Sequence, residues 1–143
     1  MLFEARKLSS PMEIEIAGKI LFVDPNTLDL ETYADVLQHF GHEVRTSSSY
    51  DEAKRLLESE RFDLVIVGQS GLRFGGRIVL EQLQTEGDRI PSLVLSKSTD
   101  IDSYVEAISL GAADCIGKPV SPQRLKHAVD ACILPQTSEV GCA

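Results

Sequence analysis

Lys19-Ile20-Leu21-Phe22-Val23-Asp24-Pro25-Asn26 is the stretch on which the fold turns. Ile20 to Val23 form an unbroken apolar run, as expected of a strand buried on both faces. Asp24-Pro25-Asn26 ends the run with a loop composition. Leu64-Val65-Ile66-Val67 repeats the pattern; Ser92-Leu93-Val94-Leu95, behind Pro91, and Ala113-Asp114-Cys115-Ile116 follow. Between the first two runs, Glu43-Val44-Arg45-Thr46 alternates as a short strand.

Helical spacing fills the intervals. Tyr33, Val36, Leu37 and Phe40 share one face, and Gly41 supplies the stop. Ser49 and Glu52 form a capping box ahead of a helix burying Ala53, Leu56 and Leu57. After the small-residue loop Gly68-Gln69-Ser70-Gly71-Leu72-Arg73-Phe74-Gly75-Gly76, Val79, Leu80 and Leu83 mark a third helix. A fourth, over roughly 100–110, is expected to turn Ile101, Val105 and Ile108 inward and to end at Gly111. Ser121 as N-cap and Pro122 at the first helical position open the fifth, with Leu125, Ala128, Val129 and Cys132 inward.

Five strands alternating with five helices give an α/β, doubly wound parallel sheet with helices on both faces. The flavodoxin-like order 2-1-3-4-5 is expected, which places any site where the first, third, fourth and fifth strands end. Those ends are Asp24, Gly68, Ser96 and Lys118. Residues 1–17 read as an N-terminal extension, with Met12 to Ile16 alternating like a short extra strand, 18–133 as one domain and 134–143 as a C-terminal tail.

Composition narrows the function. The 143 residues carry 14 Lys+Arg against 22 Asp+Glu, a net charge of −8 that disfavours direct contact with nucleic acid or an anionic membrane. Cys115, Cys132 and Cys142 form no CxxC pair and no metal-ligand spacing with His39, His42 or His127, so structural thiols in a reducing compartment are expected. No apolar run approaches the roughly 18 residues of a membrane span, and the first residues lack a secretory h-region, so a soluble, cytoplasmic protein is expected.

Taken in order, KILFVD, FDLVIV with its loop to Gly76, IPSLVLS, GAADCIGKP and the closing helix resemble the landmarks of the response-regulator receiver family over about residues 19–133. In that family an acidic pair ending the first strand holds Mg²⁺, and an aspartate ending the third strand accepts a phosphoryl group. A Ser or Thr ending the fourth strand and a Lys ending the fifth contact its oxygens. The resemblance places Asp24 and Pro25 at the acidic pair, Gly68 at the acceptor, Ser96 at the hydroxyl and Lys118 at the lysine, and implies a cis Lys118–Pro119 bond.

Gly76, eight positions after Gly68, matches the family's usual glycine and fixes this register. Asp63 lies at the wrong end of the strand, and Gln69, Ser70 and Gly71 bring no carboxylate. The resemblance therefore points to a receiver without its acceptor. With Pro25 and Gly68 in place of two carboxylates, no Mg²⁺ site and no other cofactor is expected.

Two readings of the remaining charge stand side by side. Lys118 pairs with Asp24 as a structural tie, or Lys118, Ser96 and nearby Lys97 leave a notch for phosphate or sulfate. Neither Ser70 nor Ser96 has an adjacent base that would make it a substitute nucleophile.

The function implied is not enzymatic. It is a phosphorylation-independent receiver module of two-component or phosphorelay signalling that docks a protein partner, such as a kinase, an effector domain or another receiver, or forms a homodimer. The resemblance assigns that role to the fourth helix, fifth strand and fifth helix, with Tyr104, Arg124, Lys126 and His127 as contact residues. The alternatives are a conventional receiver with a non-standard acceptor and a flavodoxin-like binder of a small ligand or anion. The second would need a glycine-bearing phosphate loop after the first strand, where Asp24 to Thr32 has no glycine.

Overall fold

A computed structural model describes residues 17–69, 75–85, 90–97 and 100–133. The expected strand at 12–16, Ser70, Gly71, and the tail at 134–143 with Cys142 lie outside these residues. The described elements alternate as anticipated. They are β1 (Lys19–Val23), α1 (Thr27–His39), β2 (Glu43–Ser47), α2 (Tyr50–Ser59), β3 (Leu64–Gln69), α3 (Arg77–Thr85), β4 (Ser92–Ser96), α4 (Ile101–Ser109), β5 (Asp114–Gly117) and α5 (Pro122–Ile133).

All pairings are parallel and the order is β2-β1-β3-β4-β5. Continuous apolar runs suit this arrangement because both faces of the central strands are covered. Ile20, Phe22, Leu64, Ile66, Leu93 and Leu95 pack against α1 and α5. Leu21, Val23, Val65, Val67 and Val94 pack on the other face, with Ala53, Leu57, Val79, Leu80, Leu83 and Ala107 from α2, α3 and α4. Val36 and Leu56 are only partly buried. Gly41 (φ 95°) and Gly111 (φ 101°) follow α1 and α4 in the left-handed conformation that ends helices, where a side chain would be strained.

Register sets the site. β3 runs through Gln69, past the Gly68 expected as its end, and Gly68 pairs with Leu95 and Gln69 with Ser96. Ser96 in turn pairs with Gly117. Val23 lies beside Val67, which brings Asp24 level with Gly68.

One helix faces the other way from its expectation. Ile101, Val105 and Ile108 of α4 are exposed, at 74%, 56% and 38%, while Ala107 and Leu110 are buried. α4 carries two stripes offset by two residues, one at 101, 104, 105 and 108 and one at 103, 106, 107 and 110. Periodicity marks a stripe without saying which one meets the sheet. Small Ala107 lets the helix lie close to the strands. Glu106 on the same side pairs with Arg77 of α3 at 2.8 Å, and Gln84 donates to the Leu110 carbonyl at 2.8 Å.

Candidate functional site at the strand ends

Asp24 follows β1 directly, and its N–H donates to the Ser47 carbonyl (3.0 Å), extending the ladder with β2 by one bond. Its carboxylate is fully buried. Oδ1 accepts from the Asn26 N–H at 2.9 Å, and Oδ2 accepts from Lys118 Nζ at 2.7 Å. Lys118 also donates to Asp29 Oδ2 at 2.8 Å. Asn26 caps α1 by accepting from the Asp29 N–H (3.1 Å), which sets Asp29 in the first turn, facing the lysine. Side-chain exposure is 4% for Lys118 and 25% for Asp29, so one ammonium bridges two carboxylates at the edge of the interior.

Gly68 makes this arrangement fit. A Cβ built on it would overlap the Asp24 carboxyl group. Asp24 thus occupies the space into which any side chain at position 68 would project. Tyr50, the first residue of α2, covers the same spot, its hydroxyl donating to the Gly68 carbonyl at 2.6 Å. Its ring lies where a Cβ on Gly75 would approach to 2.8 Å. Burial first, then the Asp24 charge, pushes the Tyr50 phenol up to about 12.

Lys118 is held from the backbone as well. Its N–H donates to the Ser96 carbonyl (2.8 Å), the Lys118–Pro119 bond is cis as the resemblance implied, and the next N–H, of Val120, donates to the Tyr33 hydroxyl at 3.0 Å. Burial alone would lower the lysine pKa, but hydrogen bonds to Asp24 and Asp29 and the charges of both carboxylates together outweigh burial and hold it above the usual value.

Of the positions read from sequence, Asp24, Gly68, Ser96 and Lys118 converge, with Ser96 buried and Pro25 exposed. Asp29 and Tyr50 were missed. An Asp three residues after an N-cap Asn was a signal for Asp29, whereas nothing in the sequence tied Tyr50 to the site. Between the two readings of the residual charge, the geometry favours the structural tie, because the notch is filled by a carboxylate and Lys118 is already engaged by two. Lys118 Nζ stands between the Asp24 and Asp29 carboxylates. Among the described residues no group of three or more metal-ligating side chains occurs.

The expected contact residues divide. Tyr104 (43% exposed) lies on the outward stripe of α4. Arg124 and His127 border a groove of about 450 Å³ between β5 and α5, with Leu93, Asp114 and Cys132 in its walls. Lys126 turns elsewhere, pairing with Asp130 at 2.7 Å and lying 5.8 Å over the Phe40 ring at the end of α1. It does not join the others. Among the described residues no helix is long and apolar enough to cross a membrane.

Comparison with known proteins agrees with this geometry. Residues 20–130 match the family profile described as the response regulator receiver domain. The alginate biosynthesis transcriptional regulatory protein AlgB of Pseudomonas putida is 35% identical over 114 residues, 78% of this chain and 25% of that protein. The chain thus spans about a quarter of the length of the AlgB relatives it matches. A CheY-like receiver domain protein from Methanospirillum hungatei shares the fold with a TM-score of 0.78 at 23% identity, covering 87% of this chain and 99% of that one. NtrX from Brucella abortus gives a TM-score of 0.76 at 27% identity, covering 88% of this chain and 28% of that one.

Proposed function

Since the chain belongs to the response regulator receiver domain family of two-component systems, we propose that it acts there as a receiver module that works without phosphorylation and without Mg²⁺. One observation carries this reading. At the position where the resemblance places the acceptor stands Gly68, and the space is filled by Asp24, whose charge Lys118 already neutralises. A phosphoryl donor finds there only a buried carboxylate already engaged by Lys118 and the Asn26 N–H, and a divalent cation would have to displace an ammonium held by two carboxylates.

On this reading the module is not an enzyme, resides in the cytoplasm and acts by presenting a surface to a protein partner or to another copy of itself. Tyr104, Arg124 and His127 contribute to that surface. Direct binding of nucleic acid by this chain is opposed by its net charge of −8.

Amide NMR during titration with Mg²⁺ and then beryllofluoride, a phosphoryl mimic, tests the reading. The expected result is no shift at Asp24, Gly68, Ser96 or Lys118. Saturable shifts at those amides would overturn it.

A further inference from the structure

The groove between β5 and α5 lies at the opposite end of the sheet from Asp24 and Lys118. Leu93 and Asp114, in its walls, stand at the starts of β4 and β5, whereas Ser96 ends β4 and Lys118 follows β5. Small residues keep the groove open. α5 turns Ala128, Ala131 and Cys132 towards it, where bulkier side chains would close the gap. Leu93, Ala128 and Cys132 are themselves buried, so the floor is apolar.

One end of the groove is polar. Arg124, His127, Ala128 and Ala131 follow the i, i+3, i+4, i+7 spacing of a single helix face, which sets two donor side chains beside the apolar floor. Among the described residues neither the Arg124 guanidinium nor the His127 imidazole makes a hydrogen bond. Arg124 meets Asp114 only as an ion pair at 3.8 Å, beyond hydrogen-bond reach. Asp114 Oδ1 accepts from the Cys115 N–H at 2.8 Å, which holds that carboxylate to its own strand.

We propose that this groove binds a small carboxylate with an apolar body, its carboxylate on Arg124 and His127 and its body over Leu93, Ala128 and Cys132. The guanidinium fork suits a carboxylate, which it can hold by two parallel bonds. A cationic ligand has only Asp114 to use, and Arg124 stands beside that group. The net charge of −8 opposes an anion at long range, but screening over about 8 Å at physiological salt leaves the adjacent donors to decide. Burial first, then the Asp114 charge, pushes the Cys132 thiol up to about 11, in keeping with a floor of low polarity.

Volume sets the size and strength. About 450 Å³ holds roughly 15 non-hydrogen atoms, at the ~30 Å³ that one water takes in the liquid. A ligand of that size in an open groove is expected to bind with Kd on the order of 0.1–1 mM. Once bound, it neutralises Arg124 and so changes the charge which that residue gives to the partner surface.

Amide NMR of the full chain, titrated with naphthylacetate to about 10 mM, tests the proposal. Saturable shifts are expected at Leu93, Ala113, Ala128 and Cys132, with none at Asp24, Gly68 or Lys118. The uncharged naphthylacetamide is expected to bind at least about fivefold more weakly, and Arg124→Gln to weaken the acid by a similar factor. Ala131→Phe, at an exposed position, fills the groove and is expected to abolish the shifts while the fold stays intact. No saturable shift at these amides, equal binding of acid and amide, tighter binding of naphthylmethylamine, or unchanged binding in either variant would each overturn the proposal. None of these outcomes bears on phosphorylation, which the beryllofluoride titration decides separately.

Discussion

Gly68→Ala is expected to be costly for a reason that lies on another strand. Gly68 has no positive φ, so the backbone accepts alanine there. The added methyl falls on the Asp24 carboxyl group. To make room, Asp24 must swing away from Lys118 and from the Asn26 N–H, breaking a buried ion pair and a charged hydrogen bond. Uncoupling a buried pair costs about 3–5 kcal/mol, but Lys118 retains Asp29 and Asp24 can turn towards water, which brings the expected loss to about 2–3 kcal/mol.

The decisive comparison is a double-mutant cycle. Asp24→Ala alone also costs about 2–3 kcal/mol, since it removes the same bonds. In that background the carboxyl group is gone, but the Cβ kept at position 24 lies 2.7 Å from the added methyl, so Gly68→Ala is expected to retain a smaller cost of about 1 kcal/mol. The coupling between the two sites is then about 1–2 kcal/mol, read from urea midpoints at constant m. Equal costs for Gly68→Ala in both backgrounds would refute the claim that Asp24 occupies the space beside it.

Three further outcomes follow from the same geometry. Lys118→Met leaves Asp24 and Asp29 without their shared cation and is expected to cost about 3–5 kcal/mol, measured by urea denaturation at neutral pH; a loss below about 1 kcal/mol would mean that the pair is not held in the interior. Tyr50→Phe removes the bond to the Gly68 carbonyl and should cost about 1 kcal/mol. Because the folded Tyr50 pKa of about 12 lies above its unfolded 10.0, the wild type keeps this contribution below pH 10.0 and loses it as pH rises towards 12, a loss the variant should not show. His42 is buried and its Nδ1 accepts from the Gly18 N–H (3.1 Å), and burial lowers its pKa from 6.5. Its contribution is complete above pH 6.5 and falls away as pH drops through the lowered folded value, so the urea midpoint should decline over that window in the wild type and less steeply in His42→Gln.

What the sequence made legible was what short-range chemistry determines. Unbroken apolar runs at Ile20 to Val23 and Leu64 to Val67 announced strands covered on both sides, and the loop residues after them located Asp24 and Gly68. Lys118 could be placed because the strand run ending at Ile116 and the Pro119 that follows bracket it. The orientation of α4 was not legible, since its two stripes differ by two residues and only the neighbouring Arg77 and Gln84 show which one faces the domain. Asp29 and Tyr50 escaped for a different reason. Each reaches the site across the fold, Asp29 to a lysine 89 residues away and Tyr50 to a carbonyl 18 residues on. Local spacing could mark Asp29 as a first-turn residue, but it records neither reach.

On the proposed reading this receiver has no usable acceptor, because Asp24, neutralised by Lys118, fills the place beside Gly68. Incubation with acetyl phosphate and Mg²⁺ followed by intact mass measurement tests it most directly, with Pro25→Asp/Gly68→Asp alongside. The wild type is expected to keep its mass. Gain of one phosphoryl group by the double variant would show that returning the two carboxylates suffices to displace Asp24 and that the scaffold is otherwise competent. A wild-type chain that gains a phosphoryl group would contradict the account, and peptide mapping to Asp24 would make the buried carboxylate itself the acceptor.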